Sequence, residues 1–123
     1  MQIEVGTSAT VHLVVTDVDT AIALGSGDVP VLGTPRIVAL MEQAAVAALA
    51  GTLDDGATSV GTRISIDHLA ASLVGVTVTA TAEVVGLEAR AVFFRLTVHE
   101  GDRQVATGDH VRFVVDRERF LGR

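Results

Sequence analysis

Hydrophobic residues along this chain recur at two different periods, and the change between them marks the elements. Val11, Leu13 and Val15 alternate with His12, Val14 and Thr16, the two-residue period of a strand with one buried face. Over residues 17–33 the alternation dissolves into Gly, Ser, Asp and a Pro, which predicts a loop. That is long for a plain connector, and loops of this length are commonly lids or binding loops. Thr34 followed by Pro35 then reads as an N-cap with proline at the first helical position. A helix is expected from residue 35 to about residue 50, closed by Gly51 as a left-handed cap. Only Arg36, Glu42 and Gln43 interrupt its apolar residues, so it is expected to be buried on nearly all sides.

After a turn at residues 53–56 the pattern becomes strand-like, with runs at about 59–68, 76–85, 91–99 and 105–115. Val74-Gly75, Gly86-Leu87-Glu88 and Glu100-Gly101-Asp102 bound the last three, which predicts hairpins of neighbouring antiparallel strands. One strand, one long helix and a four-stranded meander imply an α+β fold in which a five-stranded antiparallel sheet curls around the helix. Val76, Val78, Ala80, Ala82 and Val84 share one face, whereas Phe93, Phe94, Leu96 and Val98 show no clean alternation. Apolar residues on both faces predict a homodimer.

Composition narrows the function classes. The 123 residues are 49% hydrophobic but only 3% aromatic, so the core must be built from Val, Ala, Leu and Ile. A chain of this size hides roughly two-thirds of its unfolded surface, enough for a single domain over residues 1–123. Fifteen acidic against nine basic residues, all Arg, leave a net charge of −6, which argues against nucleic acid or an anionic membrane as partner. The absence of cysteine excludes disulfides, thiolate metal sites and thiol nucleophiles. The longest stretch free of Asp, Glu and Arg, residues 68–82, is too short and too polar to span a bilayer. The first basic side chain is Arg36, so no secretion signal is read and a cytoplasmic protein is expected.

Three residues stand out chemically. Glu42 lies mid-helix with Val38, Met41, Ala45 and Val46 at neighbouring positions and no basic residue at helical spacing. A buried carboxylate of that kind must be hydrogen-bonded, protonated or facing a wet cavity; an exposed polar stripe with Gln43, or a bond to a neighbouring strand, explains it without chemistry. His68 shares a strand face with Ile64 and Ile66, which turns its imidazole toward the apolar side, where a satisfied core histidine is the ordinary alternative. Thr34 is by default a helix cap. Eight residues of helix advance about 12 Å, so direct contact between Thr34 and Glu42 would need a distorted helix start or a second subunit. His12, His99 and His110 show no metal-ligand spacing, and no metal is expected.

The runs Gly33-Thr34-Pro35-Arg36-Ile37-Val38-Ala39-Leu40-Met41-Glu42-Gln43 and Ser59-Val60-Gly61-Thr62-Arg63-Ile64-Ser65-Ile66-Asp67-His68 resemble the hotdog-fold acyl-CoA thioesterases of the fluoroacetyl-CoA thioesterase type. The likeness extends through Gly75-Val76-Thr77-Val78, Val98-His99-Glu100-Gly101 and Gly108-Asp109-His110-Val111-Arg112, covering about residues 30–120. The resemblance implies a long central helix wrapped by a curved sheet and paired as a homodimer; whether dimers pair into a tetramer is left open by the sequence. It implies thioester hydrolysis of an acyl-CoA without a cofactor. Glu42 would be the carboxylate base or nucleophile, His68 the partner in proton transfer, and Thr34 the hydroxyl that positions carboxylate or water. Gly61 would lie beside the reacting centre, and Arg112 would meet a phosphate of coenzyme A.

Residues 17–33 contain no aromatic residue, whereas the fluoroacetyl-CoA enzyme of that family carries an aromatic gate in the corresponding loop. The expectation is therefore an acyl-CoA thioesterase without fluoroacetyl specificity. The related dehydratases place a histidine before the helix, and residues 17–34 have none. A non-catalytic hotdog protein that binds acyl-CoA or a hydrophobic metabolite is the alternative from a different class.

Overall fold

The computed structural model describes residues 2–122. Strand β1 (Ser8–Val14) leads through a 3-10 turn at Asp17–Asp19 and a one-turn helix α1 (Ala21–Leu24) into the long helix α2 (Thr34–Ala48). Four strands follow, β2 (Ala57–His68), β3 (Thr77–Glu88), β4 (Ala91–Glu100) and β5 (Arg103–Asp116), and a last turn of helix, α3 (Arg117–Phe120). The sheet is antiparallel in the order β1-β3-β4-β5-β2.

The expected meander is right for β3, β4 and β5 but not for β2. That strand pairs with β5 from Ala57↔Asp116 to His68↔Ala106 and forms an edge of the sheet. The reason lies in its connection: residues 69–76 carry the chain from one edge across to β3, which pairs with β1. The alternation also proves cleaner than expected, because Val92, Phe94, Leu96 and Val98 all point inward with almost no exposure while Phe93 lies on the other face.

The predicted loop at residues 17–33 is structured. Isolated bridges join Thr20 to Leu32 and Val31 to Leu73, and the Gly33 N–H donates to the Asp19 carbonyl at 2.9 Å. The buried Asp19 carboxylate accepts from the Thr16 N–H at 2.8 Å and from Arg36 Nε at 3.1 Å. Burial alone would raise its pKa, but the Thr16 N–H and hydroxyl and the Arg36 charge outweigh that and hold it below the usual value. This clasp ties the segment to the first turn of α2.

Helix α2 packs Ile37, Leu40, Met41, Ala44, Ala45 and Ala48 into the core, against the inward face of β1 and β3 above all. It is not buried all round. Val46 is 50% exposed, and Ala39, Gln43 and Ala47 share the open side, because the sheet of one chain curls around only part of the helix. Among the described residues no helix is long and apolar enough to cross a membrane.

Candidate active site

Thr34 is not the helix cap. Gly33 takes that position with extended backbone angles and Thr34 begins the helix. The space beside Gly33 requires a glycine there: a Cβ would lie 2.9 Å from Leu24 Cδ1 and 3.2 Å from the Ala21 backbone. Freed from capping, the Thr34 hydroxyl meets His68 Nδ1 at 2.7 Å. His68 is the last residue of β2 and shares its half-buried face with Ile64 and Ile66, as the two-residue period required. Its Nε2 is buried and makes no well-formed hydrogen bond among the described residues. Burial pushes the imidazole pKa down, offset only in part by the Ala70 backbone.

Two turns further along α2, Glu42 forms a second cluster. Its side chain is 39% exposed, and Oε2 accepts from Arg112 Nη1 at 3.0 Å. The carboxylate that lacked a helical partner thus finds one on β5. Arg112 Nε donates to Ser59 Oγ at 2.9 Å, and Nη2 to the Ser59 carbonyl at 3.2 Å. Nη1 also lies 3.1 Å from His110 Nε2. Arg112 is only 7% exposed, and its guanidinium grips Glu42 and β2. Alternation along β5 turns His110 and Arg112 to the same inner face.

Gly61 sits against this cluster. A Cβ on it would lie 2.5 Å from Glu42 Oε2 and 3.2 Å from both Arg112 Nη1 and His110 Cε1. The register of β2 against β5 shifts between Gly61 and Arg63, leaving Thr62 as the extra residue of a bulge. Glu42 and Arg112 open onto a cavity of about 420 Å³ floored by Ala39, Val46 and Ala47. Among the described residues no group of three or more His, Asp or Glu is arranged to hold a metal ion.

The structure therefore brings Thr34 to His68, and Glu42 to Gly61 and Arg112, but holds the two groups about two helical turns apart, roughly 12 Å along α2. Ser59 and His110 join the second group without having been expected there. The only sequence hint was the His110-Val111-Arg112 spacing, which puts two polar side chains on one strand face.

The family model described as fluoroacetyl-CoA-specific thioesterase matches residues 15–118. A fluoroacetyl-CoA thioesterase from Streptantibioticus cattleyicolor is 41% identical over 90 residues, which make up 73% of this chain and 65% of that protein. The match thus spans slightly less than two-thirds of that relative's length. A solved structure of the fluoroacetyl-CoA thioesterase FlK superposes with a TM-score of 0.91 at 35% identity, covering 97% of this chain and 93% of that one. A hot-dog-like protein from Thermanaerovibrio acidaminovorans superposes at 0.88 with 28% identity, covering 96% and 87%. Fold and sequence agree: the chain belongs to the fluoroacetyl-CoA-specific thioesterase family and has a hotdog fold.

Proposed function

We propose that the protein is an acyl-CoA thioesterase of the cytoplasm, working as a homodimer with Thr34, Glu42 and His68 combined in a site between subunits. The observation that carries this reading is the Glu42 carboxylate: one oxygen is held by Arg112 at 3.0 Å, at the mouth of an open cavity with an apolar floor. A carboxylate so placed takes a proton from water as the water oxygen bonds to the thioester carbonyl, or adds to the carbonyl itself. The C–S bond then breaks, and the thiolate of coenzyme A, a good leaving group, takes up a proton; on the second route this leaves an acyl–Glu42 anhydride, which water hydrolyses to the free acid and the original carboxylate. His68, whose Nε2 makes no well-formed hydrogen bond among the described residues, assists the proton transfer. The N–H groups at the start of α2 or at Gly61 stabilise the developing oxyanion.

The second subunit enters because one chain keeps Glu42 apart from His68. The outer edge of β2 is unpaired, and the adjoining open side of α2 carries Val46. Two copies joined along these features bring Glu42 of one to Thr34 and His68 of the other. The relative named above acts on fluoroacetyl-CoA, but residues 17–33 here hold no aromatic side chain, so this chain is proposed to accept acyl-CoAs without preference for the fluorinated one.

Incubating the pure protein with a panel of acyl-CoAs and following free thiol tests the reading. Thiol release is expected, with fluoroacetyl-CoA and acetyl-CoA turned over within about tenfold of each other in kcat/KM. Binding without release would identify a non-catalytic acyl-CoA-binding protein instead.

A further inference from the structure

We infer that His110 is a positioning residue for Glu42, acting through Arg112; the inference rests on the thioesterase reading above. His110 is only 2% exposed. Its Nδ1 lies 2.7 Å from the Arg63 carbonyl oxygen, which can only accept, so Nδ1 carries the proton. Nε2 is then the unprotonated nitrogen, and it faces Arg112 Nη1 at 3.1 Å, a group that can only donate. One tautomer satisfies both contacts.

The consequence falls on Nη1. That nitrogen has two N–H groups: one reaches Glu42 Oε2 at 3.0 Å and the other reaches His110. The Ser59 contacts hold one edge of the planar guanidinium through Nε and Nη2, so the freedom left to Nη1 is a tilt about that edge. With His110 in place, Nη1 is held from both sides. Without an acceptor at that position a buried N–H loses its partner, an arrangement the guanidinium relieves by turning, and Glu42 turns with it. Displacement of a reacting group by about 1 Å is enough to cost large factors in rate. The environment favours the neutral ring that this requires. Burial pushes the pKa of His110 down and the Arg112 charge adds to that, outweighing the Arg63 hydrogen bond and the Glu42 charge.

The test compares two variants. His110→Phe keeps a ring beside Phe94, whose centroid lies 6.1 Å away, but has no acceptor. His110→Gln places a side-chain oxygen near the position of Nε2. The expected result is a fall in kcat of about tenfold or more in H110F, with KM within about threefold, and recovery of most of that loss in H110Q. A folded H110F with kcat within about twofold of wild type, or an H110Q that loses as much as H110F, would overturn the inference. Nitrogen-15 NMR of the wild-type imidazoles supplies a readout independent of hydrolysis and of variant folding. His110 should show a protonated Nδ1 and an acceptor-type Nε2, with a resolved Arg112 Nη–H resonance. A proton on Nε2 at neutral pH overturns the inference even if the wild type releases no thiol, and the expected tautomer upholds the His110 contact even if the thioesterase reading fails.

Discussion

Thr34 Oγ1 and His68 Nδ1 lie 2.7 Å apart across 34 residues of sequence, joining the first turn of α2 to the end of β2. The contact fixes the His68 ring while leaving Nε2 without a well-formed hydrogen bond among the described residues. Thr34→Val keeps the branched shape and removes the hydroxyl, so kcat should fall by about tenfold to a hundredfold. Thr34→Ser should keep most of the rate. Steady-state kinetics on the two variants check this, and a larger loss in Thr34→Ser than in Thr34→Val would mean that packing of the γ-methyl, not the hydrogen bond, matters.

Gly61 owes its identity to Glu42. Since an added Cβ would lie 2.5 Å from Glu42 Oε2, Gly61→Ala must displace the carboxylate, the Arg112 guanidinium or the strand. Burial on β2 is modest here, so the fold should survive while kcat/KM falls by about tenfold or more. Circular dichroism beside an activity assay separates the two effects.

Local patterns carried much of the fold and little of the pairing within the site. The two-residue period placed Val78, Ala80, Ala82 and Val84 on the inner face, and it turned His68 to the side of Ile64 and Ile66. The partner of β2 was not legible, because pairing Gly61 with Arg112 depends on sheet closure over a long stretch of chain. The same closure supplies Glu42 with an arginine 70 residues away, which no helical spacing could have shown. Thr34 was legible as a helix start but not as a His68 partner. Crowding by Leu24 and Ala21 requires a glycine at position 33, the residue that caps the helix, and that crowding exists only once residues 17–33 have folded back.

Acid should weaken the fold through its buried histidines. His68, beside Thr34 and the Ala70 backbone, and His110, facing Arg63, Arg112 and Glu42, both have folded-state pKa values below the ordinary 6.5. As pH falls through about 6.5 the unfolded chain binds protons that the folded chain does not, so stability declines. Their contribution is complete above that pH and levels off once the folded-state rings also protonate. Urea unfolding between pH 8 and pH 5 should show the decline, and H110F should remove part of it. Unchanged or rising stability on acidification would contradict the assignment.

If Glu42 of one subunit works with His68 of the other, inactive variants should complement each other. Equimolar E42A and H68A, mixed and allowed to exchange subunits, form heterodimers with one intact site in half of the dimers. About a quarter of wild-type activity should return. No recovery despite verified exchange would place both residues of each site in one chain.

The most direct test is the rate of thiol release by Glu42→Gln at saturating acyl-CoA, measured beside its unfolding midpoint and its oligomeric state. If the Glu42 carboxylate activates water or adds to the carbonyl, turnover should drop by about a thousandfold or more, in a protein that remains folded and assembled. Turnover by E42Q within a few-fold of wild type would show that the chemistry is carried elsewhere.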